Sequence, residues 1–340
     1  MSAAPAFQEP TMRDGFGRRI EYLRISVTDR CDLRCRYCMA EKMTFLPRSE
    51  VLSLEEIAIL ADRFIARGVR KIRLSGGEPL VRRDFIELAH RIGRHLEFGT
   101  LQELTLTTNG THLAEHADAL YDAGIRRINV SLDSLDPERF AHITRGGDVT
   151  KVMAGIAAAS RAGLRVKINM VALRGVNDAE FLPMLHWCSD KGHDLTLIET
   201  MPLGETGEDR TDRYMPLSEA VREIEVAHPL APIGYRSGGP ARYFTPQGME
   251  YIRLGLITPL SDNFCAGCNR MRITCEGKIF MCLGHESYVD LKNAYRTGGI
   301  AAVDAALDRA LIAKPLAHDF AISPEGTSGM TRRHMSVTGG

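Results

Sequence analysis

Three cysteines near the start of the chain have the spacing of ligands to an iron–sulfur cluster. Cys31, Cys35 and Cys38 form the pattern C-x3-C-x2-C within the run CDLRCRYCM. A structural zinc site normally closes a tetrahedron with four protein ligands. Three thiolates on one loop instead suit a cluster that keeps one iron without a protein ligand. We therefore predict a cluster that can bind a small molecule, with a purely structural metal site as the alternative.

A second set of three cysteines lies near the end of the chain. Cys265, Cys268 and Cys282 form the pattern C-x2-C-x13-C, which again leaves one iron of a cluster open. Cys275 lies inside the long spacer, and as a fourth ligand it would close that cluster, so its role stays open at this point. We predict that Cys188, in a stretch with a helical pattern, packs in the core. A structural or electron-transfer role is the alternative for this cluster.

Basic residues occur on predicted strands and beside the second cysteine set, where buried charge is unusual. Lys71 and Arg73 alternate with apolar Ile72 and Leu74, so the two cations share one face of a strand. If that face points into the protein, the cations need an anion, and a triphosphate would supply it. A solvated face is the alternative. Four further basic residues have a comparable placement: Arg24, Lys167, Arg270 and Arg272.

The composition is that of an ordinary globular chain and limits the classes of function. The chain has 340 residues with 43 basic and 43 acidic side chains, so it lacks the basic excess of a dedicated nucleic-acid binder. No apolar run approaches the roughly 18 residues of a membrane helix, and the first residues lack the pattern of a signal peptide. Eight cysteines without such a signal predict metal binding in a reducing compartment, and we expect a cytoplasmic protein.

These residues need a scaffold, and the sequence predicts an α/β fold. Segments with strand patterns alternate along the chain with segments that have helix patterns. Alternation of this kind requires a parallel sheet with helical crossovers. A closed eight-stranded barrel needs about 250 residues, whereas here the alternation fades after about residue 225. We therefore predict an incomplete (β/α)6 partial barrel. The strands are expected near residues 22–28, 69–75, 104–108, 127–132, 165–173 and 195–201.

The chain is predicted to have three parts. A flexible leader covers residues 1–13, and the partial barrel covers residues 14–228. A smaller C-terminal region over residues 229–340 carries the second cysteine set. It contains the hairpin-like run ARYFTPQGMEYIRLG and a late helix near residues 300–312. We expect this region to be irregular and stabilised by its cluster.

Several further motifs, taken with the two cysteine sets, resemble a known family. They are KIRLSGGEP at 71–79, TTNG at 107–110, NVSLDS at 129–134, CNRMR at 268–272 and a terminal Gly-Gly pair. The first cysteine loop is similar to that of the radical S-adenosylmethionine (SAM) superfamily. The complete set, in this order and over nearly the whole chain, resembles the GTP 3′,8-cyclase family within that superfamily.

The resemblance implies a reaction and its cofactors. The cofactors are two 4Fe–4S clusters, each with three cysteine ligands, and SAM bound at the open iron of the first. A 5′-deoxyadenosyl radical removes the ribose H3′ of GTP, and the product is (8S)-3′,8-cyclo-7,8-dihydroguanosine 5′-triphosphate, an early intermediate of molybdenum cofactor biosynthesis. The implied partners are GTP, an electron donor and a downstream cyclic pyranopterin monophosphate synthase. A homodimer agrees with the resemblance, and no nucleic acid or membrane partner is implied.

The resemblance also assigns residues to roles. The second cluster is expected to bind the guanine base through its open iron. The terminal glycines, Gly339 and Gly340, are expected to reach into the active site and to be needed for cyclisation. The residues assigned to SAM are Tyr37, Gly77, Glu78, Ser131 and Met201. The residues assigned to GTP are Arg24, Lys71, Arg73, Thr107, Lys167, Arg270, Met271 and Arg272.

One position departs from the family pattern. Thr196 stands where many members of the family carry an arginine, so the triphosphate is expected to be held by another basic residue, Arg174 or Arg210, or to be held less tightly. Two other functions remain as alternatives. One is a radical SAM peptide-modifying enzyme with an auxiliary cluster, although such enzymes usually carry more cysteines in this region. The other is a binding module stabilised by metal, for which the long strand–helix alternation is an unusual scaffold.

Overall fold

Six parallel strands form the centre of the sheet. The structure, a computed structural model, describes residues 12–207, 210–262, 264–323, 326–328 and 331–339. Each of the six strands pairs in parallel with the next one along the chain, which gives the open partial barrel that the sequence predicts. They are β1 (Tyr22–Ser26), β2 (Lys71–Ser75), β3 (Glu103–Thr108), β4 (Arg127–Ser131), β5 (Arg165–Ala172) and β6 (Asp194–Glu199).

Helices form the crossovers between these strands. The first helix begins with a capping box, because Ser53 and Glu56 each accept a hydrogen bond from the other's backbone amide. The helices are α1 (Leu54–Ala66), α2 (Phe85–Glu97), α3 (Leu113–Asp122), α4 (Pro137–Thr144), α5 (Val149–Arg161), α6 (Phe181–Lys191), α7 (Arg210–Arg213), α8 (Leu217–Ala227), α9 (Leu291–Ile312) and α10 (Met335–Thr338).

The C-terminal region extends the same sheet at both edges, which the expectation of an irregular region did not include. β9 pairs in parallel with β6, and β10 pairs in parallel with β1. The strands of this region are β7 (Leu230–Ile233), β8 (Arg242–Pro246), β9 (Leu254–Ile257), β10 (Arg270–Ile273), β11 (Lys278–Phe280) and β12 (Tyr288–Asp290). The complete order is β12-β11-β10-β1-β2-β3-β4-β5-β6-β9-β8-β7. A separate ribbon consists of β13 (Ala321–Ser323) and β14 (Gly326–Ser328).

One hydrophobic core joins the predicted barrel and the predicted C-terminal region. Leu23 and Leu104 from the barrel belong to the same buried cluster as Leu254, Met271 and Val303. Of the predicted leader, the structure describes residues 12 and 13, and Met12 is buried in that core. Among the described residues, no helix is both long and apolar enough to cross a membrane.

Candidate active site

The two cysteine sets line a single cavity. Its wall contains residues from all six strands of the partial barrel. All eight cysteines of the chain are free thiols. The six predicted cluster ligands on the wall are Cys31, Cys35, Cys38, Cys265, Cys268 and Cys282.

Alternate residues of β1, β2, β4 and β5 line this cavity. On β2, Arg73 and Ser75 line the cavity, whereas Ile72 and Leu74 pack in the hydrophobic core. This is the two-residue period of a strand, and it means that the cations of the strands face the interior of the barrel. The alternative of a solvated face does not apply to Arg73, which is 8% exposed.

The first cysteine loop follows β1 and is held by the end of α4. The backbone amides of Arg34 and Arg36 donate hydrogen bonds to the carbonyls of Thr144 and Ile143, at 3.1 and 2.9 Å. The Arg145 guanidinium, just after the helix, donates to two carbonyls of the loop at 2.7 and 2.9 Å. The loop therefore depends on a helix that the sequence did not predict.

Two of the residues predicted to bind SAM are fixed beside this loop. The Tyr37 hydroxyl donates to Oδ2 of Asp133 at 2.8 Å, and burial raises the pKa of Asp133 to about 6. A Cβ atom at Gly77 would lie 2.3 Å from the Arg30 carbonyl oxygen, so only glycine allows the turn after β2 to approach so closely. Two further residues predicted for SAM also line the cavity: Ser131 and Met201.

Glu78, the remaining residue predicted for SAM, lies behind the wall of the cavity. Its carboxylate accepts hydrogen bonds from Leu80 N at 3.0 Å, Thr108 Oγ1 at 2.8 Å and Asn109 N at 2.6 Å. Burial raises the pKa of Glu78 to about 7, although these three donors act in the opposite direction. In this arrangement the carboxylate fixes the turn after β3.

The second cysteine set is held from the N-terminal side of the chain. Cys268 N donates to the Cys265 carbonyl at 3.0 Å, and Arg18 Nη1 donates to the same carbonyl at 2.8 Å. Cys275 lies elsewhere, fully buried, with its carbonyl accepting from Leu52 N at 2.7 Å. Burial raises the pKa of Cys275 to about 12. Since Cys275 is outside the cavity wall, the three-cysteine set is the one that faces the site.

The chemistry of the donors fits iron–sulfur clusters. Within the described part of the chain, no three His, Cys, Asp or Glu side chains converge on one ion position. The thiolates of a cluster bind different irons, so they need not converge on a single point. Burial would raise the pKa of Cys268, but the charges of Arg270 and Lys314 hold it below its usual value, which favours the thiolate that binds iron.

Five of the predicted cations surround the space between the two cysteine sets. Among the described residues, none of the five forms an ion pair with a carboxylate. Burial and then the charge of Arg272 lower the pKa of Arg24 well below its usual value. An anion would relieve this repulsion, so the site is built for a negatively charged ligand. The five cations on the cavity wall are Arg24, Arg73, Lys167, Arg270 and Arg272.

Buried polar atoms on the same wall lack hydrogen-bond partners within the described part of the chain. They are Nε of Arg73, Oγ1 of Thr107 and Oδ1 of Asn129. An unpaired buried polar atom costs roughly 1–3 kcal/mol, which a ligand with complementary polar groups would recover. These atoms therefore mark where a polar ligand fits, and they include two residues predicted to bind GTP.

Lys71 and Met271 lie outside the wall that the other residues predicted for GTP form. Lys71 pairs with Glu103 at 2.6 Å between Nζ and Oε2, at the start of β2. Met271 is 1% exposed and packs in the core, because it alternates on β10 with Arg270 and Arg272. In this arrangement neither side chain lines the cavity.

The described end of the chain reaches the site. Arg272 Nη1 donates to the Gly339 carbonyl at 3.1 Å, and a Cβ atom at Gly339 would lie 2.0 Å from Oγ of Ser75. Gly339 also has a φ of 78°, in the left-handed region that favours glycine. Gly340, the other predicted glycine, lies outside the described residues.

The sequence did not identify three polar residues of the site. Lys167 Nζ donates to the Tyr243 hydroxyl at 3.3 Å, which donates to Ser237 Oγ at 2.9 Å. Tyr22, at the start of β1, lines the cavity. Burial would raise the pKa of Tyr22, but neighbouring cations, Arg73 first among them, lower it to about 8. Tyr22 lies two residues before Arg24 on the same strand, which was the available signal, whereas nothing local marked Ser237 or Tyr243.

Thr196 is fully buried on β6, and its hydroxyl has no hydrogen-bond partner among the described residues. Of the two expected replacements for the family arginine, Arg174 pairs with Glu219 at 2.8 Å on an exposed part of the chain. The Arg210 side chain lies outside the described part. Arg174 therefore does not replace that contact.

Two family models match the chain. The model described as "Radical SAM superfamily" matches residues 25–188, and the model described as "Molybdenum Cofactor Synthesis C" matches residues 193–320. Among curated proteins, a GTP 3′,8-cyclase of Rhizobium etli (strain CIAT 652) is 54% identical over 330 residues, which cover 97% of this chain and 94% of that protein. A GTP 3′,8-cyclase of Sinorhizobium medicae (strain WSM419) is 54% identical over 331 residues, covering 97% and 95%.

A solved structure shares the fold. The crystal structure of Streptococcus suis SuiB bound to S-adenosylmethionine superimposes with a TM-score of 0.58 at 15% identity. The match covers 86% of this chain and 65% of SuiB. At this identity the likeness concerns the architecture, and it agrees with the incomplete barrel described above.

Proposed function

Because the chain belongs to the GTP 3′,8-cyclase family of radical SAM enzymes, we propose that its two cysteine sets hold the two 4Fe–4S clusters of that activity. Cys31, Cys35 and Cys38 would hold the first cluster, and the second set would hold the other. The observation that carries this assignment is that all six cysteines line one cavity with five cations, none of which pairs with a carboxylate in the part of the chain that the structure describes. A site with a single cluster would need only three of these six cysteines.

When bound, the first cluster and SAM supply the 5′-deoxyadenosyl radical that removes H3′ of GTP. The residues around the first loop would orient SAM and exclude water. Tyr37, fixed by Asp133, and Gly77, through its close backbone turn, would form the near wall of that subsite. Ser131 and Met201 would close it at the ends of two further strands.

The cations would bind the triphosphate of GTP. Arg73 on β2 and Lys167 on β5 are buried and carry no carboxylate partner among the described residues. Arg270 and Arg272 come shortly after Cys268, within the second cysteine set, so they would hold the nucleotide near the second cluster. The Thr107 hydroxyl, which has no hydrogen-bond partner in the described part of the chain, would donate to the same ligand. Fixing the ribose against the SAM subsite is the main contribution of the protein to the rate.

The C-terminal tail would form a further part of the site, beside Arg272 and Ser75. Gly339 touches Arg272 through its carbonyl, so movement of the tail would move a cation that holds the substrate. The proposal further includes an electron donor, a downstream cyclic pyranopterin monophosphate synthase, a homodimer and a cytoplasmic location. The division into a barrel over residues 14–228 and a C-terminal region over 229–340 is likewise proposed.

An anaerobic assay tests the assignment. The chain is reconstituted with iron and sulfide and given SAM, GTP and a strong reductant. Mass spectrometry should then detect 5′-deoxyadenosine and a product isomeric with GTP. In Cys265→Ala the GTP isomer should disappear while some 5′-deoxyadenosine remains, because only the second cluster is lost.

Cys275→Ala is the matched control, since Cys275 is a buried cysteine of the same segment outside the cavity. It should form both products. Normal amounts of the GTP isomer from Cys265→Ala would refute the role of the second set. Cleavage of SAM with GTP unchanged in the wild type would show that the substrate is a different one.

A further inference from the structure

Lys314 is a buried cation that the predicted site does not include. It follows the end of α9 and is 2% exposed. Its Nζ donates to the sulfur of Cys268 at 3.5 Å and to the Met281 carbonyl at 2.6 Å. Since Met281 directly precedes Cys282, the ammonium group connects the two segments that carry the second cysteine set.

An ammonium group so deeply buried needs a negative charge nearby. Desolvation costs several kcal/mol per ion after relaxation, so such lysines are normally paired. Within the described residues, no carboxylate forms an ion pair with Lys314. The two atoms it contacts are a cysteine sulfur and a neutral carbonyl oxygen. The thiolates of the second set are therefore its only source of compensating charge in the described part of the chain.

We propose that Lys314 is the counter-charge and hydrogen-bond donor of the second cluster, a positioning residue that raises the reduction potential of the cluster and helps to retain it. This inference rests on the proposed function, because it requires a cluster on Cys265, Cys268 and Cys282. Hydrogen bonds to cluster sulfurs and the net charge around them set the reduction potential. A fixed positive charge stabilises the more negative, reduced form, so it moves the potential upward.

The experiment measures the reduction potential of the second cluster in the reconstituted full chain. A redox titration followed by electron paramagnetic resonance is made on the wild type, Lys314→Met and Lys314→Arg. The signal of the second cluster is assigned with the Cys31→Ala/Cys35→Ala/Cys38→Ala chain, which retains only that set. Lys191→Met, which removes an exposed lysine at the end of α6, is the matched control.

In Lys314→Met the potential should shift to a more negative value, whereas Lys314→Arg and Lys191→Met should stay near the wild type. The first cluster should be unchanged in all of them. An unchanged potential in Lys314→Met with the cluster intact overturns the proposal. If Lys314→Met loses the cluster and Lys314→Arg keeps it, the proposal is supported, because charge is then the requirement. Loss from both variants overturns it.

The assignment of the second cluster can fail separately. If the chain that lacks the first three cysteines binds no iron and sulfide, both the second cluster and the role of Lys314 are refuted. If that chain binds a cluster and the potential does not respond at position 314, only the role of Lys314 is refuted.

Discussion

At the scale of single residues, Lys167 shows why this cavity favours a bound anion. It is buried on β5, and its ammonium group donates to the Tyr243 hydroxyl at 3.3 Å. Burial, followed by the charges of Arg73 and Arg127, lowers the pKa of Lys167 well below its usual value. A triphosphate would act in the opposite direction and raise it.

The pH dependence of GTP binding follows from this shift. Above the lowered pKa, free Lys167 is neutral and must take up a proton when GTP binds. The affinity for GTP should therefore fall as the pH rises through that pKa. Calorimetry without SAM, in buffers of different ionisation enthalpy and above about pH 8 where the phosphates are fully ionised, measures the proton uptake. Lys167→Met should bind more weakly and take up less proton, whereas exposed Lys151→Met should match the wild type. Equal uptake in Lys167→Met would contradict this assignment.

At the scale of elements, the C-terminal end of helix α4 supports the first cysteine loop. Its cap is Asp136, whose side chain accepts from Arg139 N at 2.7 Å, and its far end receives the amides of the loop. Asp136→Ala should lower the free energy of unfolding by about 1 kcal/mol, the usual cost of a lost cap. Because the loop rests on this helix, the variant should also lose iron from the first cluster faster under a chelator.

Asp148→Ala is the control for this prediction. Asp148 caps α5 by accepting from Thr150 N at 2.9 Å, and α5 does not contact the loop through backbone hydrogen bonds in the described residues. Urea titration should show a similar loss of stability in both variants. Chelator-driven loss of iron should accelerate only in Asp136→Ala. Equal rates would mean that α4 does not support the loop.

The elements show which features local sequence can predict. The six strands lie within a few residues of their predicted places, because the hydrophobic period is a local signal. The short helix α4 was missed, since eight residues give little periodicity. The late helix was expected near residues 300–312 but begins at Leu291, because Gly298 and Gly299 resemble a helix end and instead form a kink with a φ of 61° at Gly299.

At the scale of the whole molecule, Glu199 joins the barrel to the segment before the second cysteine set. It ends β6, is 1% exposed, and its carboxylate accepts from Leu260 N at 3.1 Å and Ser261 N at 3.2 Å. It also accepts from Leu217 N at 3.2 Å, at the start of α8. One buried amide, that of Leu217, and two partly buried amides thus converge on one side chain from two distant parts of the chain.

Glu199→Ala should destabilise the protein by roughly 1–3 kcal/mol, because it leaves the buried amide of Leu217 and two partly buried amides without their acceptor. Glu223→Ala, on the exposed face of α8, should change the free energy of unfolding by less than about 0.5 kcal/mol. Urea unfolding of both variants and the wild type gives these values. If Glu199→Ala unfolded at the same urea concentration as the wild type, the hydrogen bonds that Glu199 accepts would not stabilise the protein.

Long-range pairing is what the sequence could not predict. The partner of Tyr22 in the sheet is Arg270, and no local pattern connects positions so far apart. The cysteine sets and most of the cations were identified because their spacing is visible in the sequence. Ser237 and Tyr243 come close to Lys167 only in the folded chain. The register of β10 decides that Met271 packs in the core and does not line the cavity.

The position of β10 beside β1 has a consequence for biosynthesis on the ribosome. The first strand to be made keeps one edge unpaired until a strand near residue 270 has left the exit tunnel, so most of the chain is translated before the sheet is closed on that side. An open edge is a template for pairing with another chain. We expect nascent chains of this protein to need protection by a chaperone, and iron loading to follow release from the ribosome.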